Sequence, residues 1–186
     1  MPKIVDHESY RIELLDRCFD LFASKAISSL TMRQIAKYLD VSTGTIYHYF
    51  PDKKDLLRQM LQHLTTKDIM HGMDDLPYET AEQRLQHLFR YLLTQESYFI
   101  QKTLFILDYY RSTELEPEHL AALHAIGEKY IVTLQQVLPN REDATFLFSM
   151  IHGLLFMRYL NDDMTMLEKH VQLAMEWVRS RQQQTT

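Results

Sequence analysis

The sequence predicts an all-α fold. Apolar residues recur at three- and four-residue steps along most of the chain, and no stretch alternates with the two-residue period of a strand. The periodic segments are bounded by Ser, Thr, Asp or Pro where helices start and stop. With 186 residues, 46% of them apolar and 11% aromatic, the chain can bury the cores of one or two domains.

Taken in order, the first helix has a stripe of Ile12, Leu15, Phe19 and Phe22 between Arg11, Asp16, Arg17 and Asp20, with Asp6 or Ser9 as its cap. After Ala23-Ser24-Lys25-Ala26 the chain turns, and Thr31 caps a short second helix over 32–39 whose inner face is Ile35 and Leu39. Asp40-Val41 breaks that run, Ser42 caps a third helix over 43–50, and Pro51 ends it. A fourth helix runs from Asp52 to about Ile69 on the stripe Leu56, Leu57, Met60, Leu61 and Leu64. Residues 70–79, with Gly72, Asp74, Asp75 and Pro77, read as a loop. Five more helices are expected over 80–95, 97–110, 117–138, 142–160 and 165–181, with Pro117 suited to a first turn and 182–186 frayed. The division this implies is a three-helix domain over 1–51, a connecting helix and loop over 52–79, and a helical domain over 80–186.

Composition narrows the function. Residues 1–60 hold nine Lys or Arg against eight Asp or Glu, a balance of +1, while 61–186 hold eleven against seventeen, a balance of −6. The asymmetry turns the N-terminal segment toward an anionic partner. No run approaches the roughly 18–20 apolar residues of a membrane span, and residues 1–8 have no apolar signal core, so the expectation is a cytoplasmic protein without a membrane partner. Cys18 stands alone between apolar residues as a core filler. The four glycines are too scattered for a phosphate-cradling loop, and no nucleophile elbow, HExxH pair or Cys–His signature marks an enzyme. No two of the nine histidines lie three or four apart, and His119 and His124 diverge by about 140° around a helix. No metal site and no cofactor are expected. The rival readings are a small helical hydrolase and an adaptor whose N-terminal motif binds protein.

The stretch from Thr31 to Phe50 carries the function. Ala36 is the small residue where two short helices cross, and Val41, Ile46 and Phe50 supply their shared core. On a wheel of 43–50, Ile46 and Phe50 fall on one side and Gly44, Thr45 and His48 on the other, flanked by Tyr47 and Tyr49, with Thr43 in the first turn beside Ser42. Such a nearly charge-free, hydrogen-bonding surface suits a duplex groove, where Thr can donate, accept or touch a thymine methyl. Glycine at 44 lets the backbone approach a base closely. Lys53 opens the next helix, where its charge and the helix N–H groups suit a phosphate oxygen.

The residues from about Ile12 to Leu57, including Thr45-Ile46-Tyr47-His48-Tyr49-Phe50 and then Lys53, Leu56 and Leu57, resemble the TetR-type one-component transcriptional regulators. The resemblance implies a nine-helix chain that dimerises through its last two helices, binds a palindromic double-stranded operator and represses until a small molecule binds. Carried onto matching positions, it makes Thr43, Gly44 and Thr45 base-facing. Tyr47, His48, Tyr49 and Lys53 become phosphate-holding, with Thr31 and Arg33 as further backbone contacts. Two positions depart from the family pattern: Ala26 replaces a frequent glycine after the first helix, and Asp40 replaces the usual glycine of the turn.

In the C-terminal part, the helix over 142–160 carries more apolar side chains than one outward-facing helix should show, which points to a homodimer. Its expected interface comprises Phe148, Ile151, Leu155 and Tyr159 with Val171, Met175 and Val178 of the last helix. A small, largely apolar effector is expected within 80–160, where Tyr109, His124 and His152 are polar candidates beside apolar stripes and Met150 is an apolar one.

Overall fold

A computed structural model describes residues 6–74, 80–112, 117–161 and 164–184. Among these residues there are nine α-helices and no strand: α1 His7–Ser24, α2 Met32–Tyr38, α3 Thr43–Tyr49, α4 Lys53–Ile69, α5 Ala81–Thr94, α6 Glu96–Ser112, α7 Pro117–Leu134, α8 Arg141–Leu160 and α9 Met164–Gln184. The all-α expectation holds, and none of the described helices is long and apolar enough to cross a membrane.

Capping residues set the helix boundaries, Asp6 and Thr31 among the candidates read from the sequence and Thr80 in addition. The Asp6 side chain accepts from the backbone N–H groups of Glu8 and Ser9, and Thr31 and Thr80 each make a reciprocal box with the glutamine three residues on. Three stretches differ. Residues 70–74, read as loop, continue α4 as a π-helical turn, Met70–Asp74, and 75–79 lie outside the described residues. Helix α7 stops at Leu134 instead of 138, because Pro139 disfavours helical backbone just before it and the turn buries Val137 and Leu138. Helix α9 runs to Gln184 through residues expected to fray; the Gln182 amide donates to the Val137 carbonyl at 3.0 Å.

The chain forms two compact units, Met1–Leu64 with Leu104–Ala122, and Thr65–Thr103 with Leu123–Thr186. The first reaches beyond the 1–51 division read from the sequence, because α4 and the second half of α6 share its core. Leu14, Leu15, Ile35, Leu39, Ile46, Phe50 and Leu56 are fully buried there. Phe105 meets the Phe19 ring edge-on at 6.3 Å, and the Asp108 carboxylate accepts from the Ile27 N–H at 2.7 Å. The second unit is a bundle cored by Leu85, Phe89, Leu147, Ile151, Val171 and Val178 of α5, α8 and α9.

Candidate nucleic-acid interface

Helices α2 and α3 are short, so local fastening has to replace the stability that length gives. At the start of α2, Gln34 Oε1 accepts from both the N–H and the hydroxyl of Thr31 at 2.8 Å. At its end, Asp40 takes the left-handed conformation, φ 56°, that favours glycine and that Asp tolerates better than most residues. The Val41 N–H then bonds the Ala36 carbonyl and the Asp40 N–H the Lys37 carbonyl, the paired pattern of a Schellman cap. Arg17 of α1 adds a side-chain bond to the Leu39 carbonyl at 2.6 Å. The Ser42 hydroxyl caps α3 by accepting from the Thr45 N–H at 2.9 Å.

With Ile46 and Phe50 fully buried, α3 turns Thr43, Gly44, Tyr47 and His48 to solvent, and the Tyr47 ring is half exposed. Thr45, which the sequence places on the same exposed face as Gly44 and His48, is half-buried, and Arg33 is exposed on the first turn of α2. A Cβ added at Gly44 would meet only the Ser42 hydroxyl, at an ordinary 3.6 Å, so nothing inside the chain demands glycine there. The hydroxyls of Thr31, Ser42 and Thr45 are engaged locally, Ser42 with Thr45 at 2.8 Å. Each hydroxyl still has hydrogen-bonding capacity for a second partner.

Two expected phosphate contacts have other attachments. The Lys53 ammonium donates to the carbonyls of Ile27 at 3.0 Å and Leu30 at 2.9 Å, tying α4 to the 3-10 turn Ile27–Ser29. Two of its three hydrogens are thereby spent within the chain. Tyr49 is half-buried and its hydroxyl lies 2.8 Å from His7 Nδ1. The rings of His7 and His48 are 5.9 Å apart, and Tyr10 meets Tyr49 edge-on at 5.6 Å. Sequence reasoning passed over His7: it lies 42 residues from Tyr49, and no spacing rule links them.

The expected effector residues are scattered. Tyr109 is fully buried in the first unit, and His124 is exposed on α7. Met150 and His152 are half-buried on α8, where the His152 ring packs 4.3 Å from Phe148. A cavity lined by Phe89, Leu92, Ile151, Leu155, Leu167 and Val171 has a volume of about 10 Å³, room for one water and not for an organic ligand.

The expected dimer face needs correction. Ile151, Leu155, Val171 and Val178 lie in the chain's own core, because the stripe Ala144, Leu147, Ile151 and Leu155 is the one that packs inward. Phe148 and Met175 are partly buried against that core. Of the seven residues only Tyr159 is exposed, and the apolar side chains that α8 leaves outside are Phe146, Phe156, Met157 and Leu160.

Fold and site together define a helix-turn-helix protein with a helical C-terminal bundle. Residues 14–60 match the model of the bacterial regulatory proteins of the tetR family. The HTH-type transcriptional regulator BetI of Escherichia coli is 35% identical over 89 residues, covering 46% of each protein, so the match spans about half the length of that relative. In three dimensions the chain is similar to a transcriptional regulator from Pseudomonas aeruginosa PAO1, with a TM-score of 0.78, 18% identity, and coverage of 95% of this chain and 92% of the other. It is also similar to FadR of Bacillus subtilis solved with stearoyl-CoA, with a TM-score of 0.73, 19% identity, and coverage of 91% and 98%. The likeness to the tetR family is thus carried by residues 14–60, and the likeness to the solved regulators is one of fold.

Proposed function

We propose that this chain is a cytoplasmic, homodimeric, sequence-specific regulator, a repressor that binds a palindromic duplex operator through α3 and is released by a small, largely apolar effector bound within residues 80–160. The observation that carries the reading is the uncharged, hydrogen-bonding face of α3, with Thr43 and Gly44 at the front of a helix capped by Ser42. Tyr47 and His48 flank them with groups suited to phosphate. Support for effector release comes from FadR of Bacillus subtilis, a neighbour in fold whose structure contains stearoyl-CoA. Support for dimerisation comes from the apolar side chains on the outer side of α8.

Genomic footprinting with the purified protein tests the reading. A repeated palindromic site is expected, with duplex affinity that falls steeply as salt rises. Affinity that ignores both salt and sequence would exclude the reading and favour a protein-binding adaptor.

A further inference from the structure

The second unit buries a polar cluster that none of the assignments above uses. Asp68, in the last turn of α4, and Lys102 of α6 are each 4% exposed. The Lys102 ammonium donates to Asp68 Oδ2 and, at 2.6 Å, to the Tyr130 hydroxyl of α7. Tyr130 in turn donates to Asp68 Oδ2 at 2.6 Å, and Tyr98 of α6 donates to Oδ1 at 2.7 Å. The ammonium stands 5.2 Å from the centre of the Tyr130 ring, on which Phe148 is stacked at 5.7 Å. Nearby, His152 Nδ1 lies 2.8 Å from the Phe148 carbonyl, and burial pushes the His152 pKa down, so the imidazole adds no competing charge at neutral pH. Two residues past Asp68 the helix leaves α geometry for the π-helical turn Met70–Asp74, a departure that recurs at functional sites.

An ion pair buried this deeply is a poor source of stability, because desolvation offsets the attraction of its charges. The cluster therefore calls for another reason. Without the lysine ammonium, what remains is a carboxylate held by two phenols beside an aromatic face, which is the chemistry that recognises an organic ammonium. The two charged members differ in how they can leave. Asp68 has a short side chain fixed by two tyrosine hydroxyls, and it cannot leave unless the last turn of α4 moves. Lys102 has a flexible four-carbon stem and gains hydration by swinging out, and burial already weakens its hold on its proton. A cationic ligand thus meets a removable competitor, whereas an anionic one would have to expel the fixed carboxylate.

We propose that Asp68, Tyr98 and Tyr130 form the recognition site for the head of a small organic cation, an ammonium bearing apolar substituents, and that Lys102 is a tethered occupant which that cation displaces. The inference rests on the effector-responsive reading above and supplies the chemical class of the effector. The mostly apolar ligand brings one positive charge, and that charge replaces the one the protein withdraws. The cluster was not legible in the sequence because its members lie on three helices, at positions 68, 98, 102 and 130.

Calorimetric titration of the full chain with butyltrimethylammonium chloride tests it, with sodium butyrate as the control. Lys102→Met is expected to bind the cation about tenfold or more tightly than the unaltered protein, since a tethered competitor acts at an effective concentration of order millimolar. Asp68→Asn should lose binding, and butyrate should not bind. Equal affinity in Lys102→Met and unaltered protein, retained binding in Asp68→Asn, a preference for butyrate, or no saturable binding to either cation-competent form overturns the proposal. Should circular dichroism show Lys102→Met unfolded, unaltered protein with 15N-labelled lysine decides. The Lys102 Nζ resonance must shift as the cation saturates, and saturation without a shift overturns displacement. Duplex binding by the unliganded protein is measured in parallel. DNA binding without cation binding defeats this inference alone, whereas cation binding without DNA binding upholds the site and defeats the regulator reading.

Discussion

The hydroxyl of Tyr49 on α3 lies 2.8 Å from Nδ1 of His7, the first residue of α1. The bond sets where that hydroxyl points, and if Tyr49 holds phosphate, His7 acts through it as a positioning residue. We expect His7→Ala and Tyr49→Phe each to weaken operator binding by a few-fold, about 1 kcal/mol. The double variant should be no weaker than either single, because both remove one interaction. His7→Asn, which keeps a polar group near Nδ1, should recover part of the loss. Fluorescence anisotropy at fixed salt measures the cycle, and additive losses would give the two residues separate roles.

Cys18 is fully buried, and desolvation pushes its thiol from the ordinary 9.0 up to about 12. The folded protein therefore holds this proton more tightly than the unfolded chain does. The sign of the linkage follows: the contribution to stability is complete below about pH 9 and is lost as pH rises toward 12. We expect Ellman's reagent to modify Cys18 only as fast as the protein unfolds. The stability of Cys18→Ala, measured in urea, should also fall less steeply above pH 9 than that of the unaltered protein. Rapid modification of native protein would contradict the buried, protonated thiol.

The two sides of α8 should answer differently to substitution. Ile151 is 8% exposed and packs in the core with Leu147 and Val171, so Ile151→Ala should cost roughly 2–4 kcal/mol in urea unfolding by leaving a cavity. Phe156 and Leu160 lie on the outer side, 45% and 58% exposed. Phe156→Glu or Leu160→Glu should leave the fold intact and yield a monomer by light scattering, because an unpaired carboxylate cannot be buried between two copies. A dimer that survives both substitutions would move the interface to another surface.

What the sequence revealed tracks how local the deciding interaction is. Thr31, Ser42 and Asp40 were readable because a cap or a left-handed turn is settled by residues within a few positions. The two sides of α8 were not, because its apolar residues nearly encircle the helix. Which stripe faces inward depends on α5 and α9, so periodicity alone does not show that Ile151 and Leu155 pack inward. Long-range polar attachments were equally hidden: Lys53 reaches the carbonyls of Ile27 and Leu30, and His7 reaches Tyr49 across 42 positions. Residues 70–74 misled for a different reason. Glycine and acidic residues favour a turn locally, yet the helix continues through them in π geometry, with the His71 carbonyl 2.7 Å from His87 Nε2 of α5.

Gly44 separates stability from binding at a single position. It is the second residue of α3, its backbone has no positive φ, and a methyl group there meets nothing closer than the Ser42 hydroxyl at 3.6 Å. Glycine inside a helix costs roughly 0.5–1 kcal/mol relative to alanine. The fold alone would therefore favour alanine, and the proposed close approach of a base edge from outside would account for the glycine. A backbone that must come against a base edge has no room for a methyl group. We expect Gly44→Ala to raise the urea midpoint slightly, by a few tenths to about 1 kcal/mol, while weakening operator binding by about tenfold. Binding to unrelated duplex should change much less, because the phosphate contacts proposed for Tyr47 and His48 would not need the same close approach. If Gly44→Ala bound operator as tightly as the unaltered protein, close approach at this position would be excluded, and base reading would fall to Thr43 and Thr45 alone.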